Sequence, residues 1–171
     1  MSDRQTQRRA LAHAVSDLPA LTLTSLYDGQ AMATIRRSIS IRAAVDRVFA
    51  FVANPANLPE IWPSLVAVRN VQTGPQGSSF DWDYKLLAMR IHGHTDPVEL
   101  VPNQRLVSKS VKGIPNTFRW LYEVQGDQTI VALEVDYQVP MLGRLAEGVV
   151  GKLNQREAEI LLGNLKRKME A

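Results

Sequence analysis

The 171-residue chain has no cysteine, so disulfides, thiolate catalysis, cysteine-based redox centres and Cys-ligated zinc are all excluded. It has no run of 18 apolar residues, and nothing in it reads as a membrane-spanning helix. An export signal is missing as well: Met1 to Ala10 is almost wholly polar, and Leu11 to Leu26 is interrupted by His13, Asp17 and Pro19. The formal net charge is only +3, too small for a dedicated nucleic-acid binder, and nucleic acid is not an expected partner. There is no GxSxG elbow, and the glycines of TGPQG and LLGN form neither a Walker loop nor a dinucleotide fingerprint. No cofactor is called for, and the expected location is the cytoplasm.

What is present is ordinary in bulk. With 45% hydrophobic and 22% charged residues, one domain can bury about two thirds of its unfolded surface and fold without a staple. Basic residues gather at the ends. Arg4, Arg8 and Arg9 stand near the start, and Lys166, Arg167 and Lys168 near the close, where cations suit the carbonyl end of a helix. The alternative use of these clusters is peripheral contact with an anionic membrane or a partner protein.

Residues 1–33 have weak periodicity and read as an N-terminal appendage, either disordered or carrying a short helix from Asp3 to Val15. The folded domain is expected over 34–171. There, Ile35, Ile39 and Ile41 share one face of a strand, and AAVDRVFAFVANP switches to helical spacing until Asn54-Pro55 ends it. A second short helix is expected around Ala56 to Trp62. Turn signals then recur about every ten residues, at TGPQG, Leu87 to Met89, VPNQ, KGIPN and QGDQ, which predicts an antiparallel meander. The chain closes on a long amphipathic helix after Pro140. Its apolar stripe runs through Leu142, Leu145, Val149, Leu153 and Ile160, widened by Val150, Leu161 and Leu165. Gly148, Gly151 and Gly163 interrupt it, each at a cost of about 1 kcal/mol relative to alanine; they signal close approach to the sheet, room beneath the helix, or tolerated surface positions.

The order of elements and four stretches resemble the START/polyketide cyclase superfamily, the helix-grip fold shared with the birch-pollen allergens. These are SISIRAAVDRVFAFVANPANLPEIWPSL, VELVPNQRL, TIVALEVDYQVP and GRLAEGVVGKLNQREAEILLGNLKRKME. The resemblance covers Thr34 to Ala171. It implies an α+β fold in which a curved antiparallel sheet of about six to seven strands grips the long C-terminal helix, with two short helices after the first strand and an internal cavity. Members include aromatic polyketide cyclases, coenzyme Q-binding proteins and lipid carriers. The family has no universal catalytic motif, so the resemblance names no catalytic residue.

The pattern of the strands agrees with a cavity. Phe80, Trp82, Tyr84 and Leu86 alternate with charged residues; Phe118, Trp120 and Tyr122 share one face, as do Leu133 and Tyr137. Large rings with a polar tip can either fill a core or orient an apolar ligand with a few oxygens. The cavity candidates are therefore Trp62, Phe80, Trp82, Tyr84, Phe118, Trp120, Tyr122, Leu133, Tyr137, Leu145 and Val149, with Trp62 placed at a mouth or as a packing anchor. Asp81 and Asp83, on the opposite face from Trp82, read as solvated charges.

His92, His94 and Asp96 project from one face of a strand at metal-site spacing. They resemble the HxHxDH motif of metallo-hydrolases, but position 97 is proline, and no metal is assigned. A single inward imidazole, or Tyr84, would serve as acid or base on an enolisable substrate. Val98 and Leu100 share the parity of the histidines and suggest inward, Ile91 and Gly93 suggest outward, and a bulge at Pro97 would reconcile them. The functional expectation is binding of a lipid, isoprenoid quinone or polyketide-like aromatic, with a cyclase/dehydratase enzyme and a chaperone-like interaction module as alternatives.

Overall fold

The predicted alternation becomes eight antiparallel strands in a computed structural model, which describes residues 22–27, 30–86, 88–138 and 144–171, with side chains for 33–86, 88–137 and 155–171. The strands are β1 (Thr22–Tyr27), β2 (Gln30–Ile41), β3 (Leu65–Gly74), β4 (Gly77–Leu86), β5 (Met89–Val101), β6 (Arg105–Lys112), β7 (Asn116–Gln125) and β8 (Gln128–Gln138). Helix α1 (Val45–Ala53), a 3-10 turn over Pro55–Asn57 and helix α2 (Leu58–Ile61) follow β2, and helix α3 (Arg144–Glu170) ends the chain. The sheet order is β1-β2-β8-β7-β6-β5-β4-β3, so one crossover places β2 beside β8 and hairpins make the rest. Seven of these strands are those expected from the sequence. The eighth, β1, pairs with β2 and brings part of the presumed appendage into the sheet; β2 itself begins at Gln30, before the expected Thr34. The helix expected over Asp3 to Val15 lies outside the described residues.

Burial follows the period of two. Thr129, Val131, Leu133, Val135 and Tyr137 of β8 are all buried, opposite Glu134 and Asp136, which pair with Arg36 and Arg119 on the outer face. Ile39 of β2 faces Val131, and Ile35 faces Val135. Each fully buried aliphatic side chain in this layer contributes about 1.5–3 kcal/mol. Helix α1 buries Val48, Phe49 and Val52. It stops where Asn54 leaves helical geometry and accepts a hydrogen bond from the Ala56 amide, and Pro55 cannot continue the ladder.

Helix α3 lies across the concave face. Ala158, Leu161, Leu162, Leu165 and Met169 are buried there, a spacing of three and four that defines its inner stripe. Ile160, assigned to that stripe from sequence, is instead exposed, because the true stripe is rotated toward Leu161 and Leu162. A Cβ at Gly163 would meet nothing within 4 Å, so this glycine serves no close approach. The C-terminal basic cluster fastens the helix to the domain: Lys166 donates to the Ser40 carbonyl and Lys168 pairs with Glu60. Among the described residues no helix is long and apolar enough to cross a membrane.

Candidate functional site

Where α3 passes over the sheet, the two surfaces do not close completely. A cavity of about 370 Å³ remains between them. Strand β4 contributes Phe80, Trp82 and Tyr84 to its wall, β7 contributes Phe118 and Trp120, and β8 contributes Leu133 and Tyr137. Trp62 closes one side, with its ring 5.8 Å from that of Tyr84 and 5.1 Å from that of Phe118. The wall reaches the surface at Met89 and Gly113, both of which are exposed. Of the sequence candidates, Tyr122 stands apart. It is buried in the core beyond the cavity, edge-on to Phe49 at 5.3 Å. Leu145 and Val149 occupy α3, but their side chains lie outside the described residues.

The apolar wall is interrupted by the Tyr137 hydroxyl, which is buried with no hydrogen-bond partner among the described residues, by Ser108 and Asn116, and by two hydrogen-bonded clusters. In the first, Trp82 Nε1 donates to Thr95 Oγ1 at 3.0 Å, and Thr95 shares a 2.6 Å hydrogen bond with Ser110. The second is centred on Glu157 of α3. Its Oε2 accepts from Trp62 Nε1 at 2.7 Å and from the Tyr84 hydroxyl at 2.6 Å, while Oε1 accepts from Ser64. Burial raises the Tyr84 pKa well above that of an ordinary phenol, and the hydrogen bond to Glu157 raises it further. Tyr84 therefore remains a donor at neutral pH, and proton abstraction by its phenolate is not available.

Glu157 was not among the sequence candidates. Charged residues on a helix usually face water, and its partners lie 95, 73 and 93 positions away in the chain. The available signal was its place four residues before Leu161 and beside Ala158, on the edge of the buried stripe.

The histidines face the other way. His92 pairs across the ladder with Asp83, and His94 with Asp81, and cross-strand partners share a face. Since Trp82 and Tyr84 point inward, both histidines lie on the outer face. His92 Nδ1 is 2.6 Å from Asp83, and His94 lies 2.6 Å from Asp81 and 3.2 Å from Asp96. They therefore have no access to the cavity as acid or base. A bulge able to reconcile the two parities is present: pairing shifts between Pro97 and Glu99, leaving Val98 exposed and Leu100 packed on the core, so the parity of Val98 and Leu100 says nothing about the histidines. Among the described residues no group of three His, Asp or Glu side chains is arranged to hold a metal.

The outer face also corrects the reading of Asp83 as a solvated charge. It is buried beneath Arg69, which grips both of its oxygens at 2.7 and 2.8 Å, and beside His92. The Arg69 hydrogen bond, followed by that of His92, holds the Asp83 carboxyl well below the usual carboxylate range.

This curved sheet, closing helix and interior cavity form the helix-grip fold, and residues 32–170 match the family described as polyketide cyclase / dehydrase and lipid transport. The chain belongs to that family. Solved structures share its fold. The Zhui aromatase/cyclase of a Streptomyces species is 13% identical with a TM-score of 0.69, covering 81% of this chain and 94% of its own. A START superfamily protein of Mycobacterium smegmatis is 14% identical with a TM-score of 0.63, covering 78% and 97%. A major latex-like protein of Panax ginseng is 15% identical with a TM-score of 0.60, covering 81% and 97%. No protein of curated function matches the sequence. Identities this low show the fold alone and leave the site to be argued from its own residues.

Proposed function

We propose that the protein binds a hydrophobic small molecule, of the size and character of a lipid, isoprenoid quinone or polyketide-like aromatic, inside the cavity. The observation that carries this reading is the cavity of about 370 Å³ under α3, walled mainly by apolar and aromatic side chains and reaching the surface at Met89 and Gly113. Its volume lies in the range of about 300–1,000 Å³ typical of small-molecule sites. The family description, which includes both cyclases and lipid transport, supports a ligand of this class. Binding is favoured over cyclisation because neither histidine reaches the cavity.

Two measurements test it. Native mass spectrometry of protein purified from its host is expected to show a bound hydrophobic compound. An apolar dye that fluoresces on leaving water is expected to bind at one site per chain, and the cavity-filling variant Ile91→Trp to lose that site while keeping its cooperative melt. Dye binding unaffected by Ile91→Trp, with no compound retained from the host, would sink the reading.

A further inference from the structure

The cavity wall contains one carboxylate, that of Glu157, and no lysine, arginine or histidine among its described residues. An ionised carboxylate has about four acceptor sites on its two oxygens and no proton to give. Three of those sites are occupied by Trp62, Tyr84 and Ser64, which leaves one on Oε1. The neighbouring donors are already used. Trp62 has a single N–H and Tyr84 a single O–H, and both point to Glu157 Oε2. What this end of the cavity offers a ligand is therefore acceptors only: the open site on Glu157 and the lone pairs of the Tyr84 hydroxyl.

We propose that the cavity selects ligands whose apolar body ends in a hydrogen-bond donor, an amine or a hydroxyl group, and rejects the same body ending in a carboxylate. The proposal rests on the reading of the cavity as a binding site and adds the class of head group. An ammonium would supply the positive charge that the three neutral partners of Glu157 do not, at a half-buried place where water screens the attraction less than in bulk. A hydroxyl would donate to Glu157 or Tyr84 without that charge and hold less tightly. A ligand carboxylate at this end would meet the half-buried Glu157 carboxylate with no donor between them, and like charges placed side by side are disfavoured. The other hydroxyls of the wall do not offer it a counter-charge. Thr95 and Ser110 are neutral and use one of their protons in the bond between them, and Tyr137, whose buried hydroxyl has no hydrogen-bond partner among the described residues, offers one neutral donor, so a carboxylate placed at either would be buried without an opposite charge.

The test uses the full chain and three probes with one body: dodecylamine, dodecanol and dodecanoate, each displacing the apolar dye at neutral pH. The expected order is amine, then alcohol, then acid, with amine and acid separated by at least about tenfold in affinity. Glu157→Gln keeps an acceptor oxygen but removes the charge, and it is expected to bring amine and acid to within about threefold of each other. The wild-type order is informative even if that variant fails to fold. Dye binding with dodecanoate equal to or tighter than dodecylamine, or a folded Glu157→Gln with unchanged preference, overturns the head-group proposal alone. A chain that binds neither the dye nor any probe overturns the cavity reading and this proposal with it.

Discussion

The indole of Trp82 occupies the space where a side chain at Gly93 would begin: a Cβ built on Gly93 would stand closer than 3.0 Å to three of the indole carbons. The two residues are direct cross-strand partners, and a glycine opposite an aromatic lets the ring lie over bare backbone. Gly113, at φ +83, meets the same ring, since its Cβ would fall 2.7 Å from Trp82. The glycine between the two histidines thus serves the inner face of the sheet while the histidines serve the outer one.

Gly93→Ala is therefore expected to push Trp82 off its seat and break its hydrogen bond to Thr95. Overpacking of this kind costs about 1–3 kcal/mol, read as a lower urea midpoint, and Trp82 fluorescence should shift as the ring moves. A variant as stable as the wild type, with an unchanged spectrum, would show that the ring position is not fixed by Gly93.

Tyr84→Phe removes one of the three donors to Glu157 and leaves the ring in place. Hydrogen bonds to charged groups contribute about 1.5–3 kcal/mol, so a loss in that range is expected from denaturant unfolding. Glu157→Gln combined with Tyr84→Phe should cost less than the sum of the two changes, because one deletes the donor and the other the acceptor charge of the same bond.

Tyr122 makes the opposite case. Its hydroxyl is buried with no hydrogen-bond partner among the described residues, and burial alone raises its pKa. Tyr122→Phe deletes a desolvated group and keeps the edge-on contact with Phe49. Stability is expected to be unchanged or to rise by about 1 kcal/mol; a loss larger than that would mean the hydroxyl has a partner.

The outer face gives a pH dependence. The hydrogen bond that His94 donates to Asp81 raises the His94 pKa above its ordinary value near 6.5, against a lesser effect of burial, and Asp96 adds to the rise. Folding thus favours the protonated imidazole. Its stabilisation is complete below the unfolded value and is lost as pH rises through the higher folded value. Asp81, whose pKa is lowered first by Asn70 and then by His94, loses its share at the other end, as pH falls through its folded value. The stability gap between wild type and His94→Gln is expected to be larger near about pH 6 than near about pH 8.5, measured as urea midpoints. A gap independent of pH would show that the imidazole is not charged in the folded chain.

Local pattern in the sequence was sufficient for the elements. Alternation in VALEVDY and the three-and-four spacing of VDRVFAFV report backbone periods of 2.0 and 3.6, which nearest neighbours in the chain set by themselves. Seven strands, the helix pair and the closing helix followed from it, as did the shared face of Phe80, Trp82 and Tyr84. Alternation defines two faces without saying which is inside. For the HGHTD segment that was decided by pairing with β4 and by the bulge at Pro97, both products of long-range register. Strand β1 escaped notice because an edge strand needs little apolar character of its own. Glu157 was decided by tertiary structure alone: a carboxylate on a helix is indistinguishable from its solvated neighbours until folding brings Trp62, Ser64 and Tyr84 around it, and it is this convergence that gives the cavity a polar end.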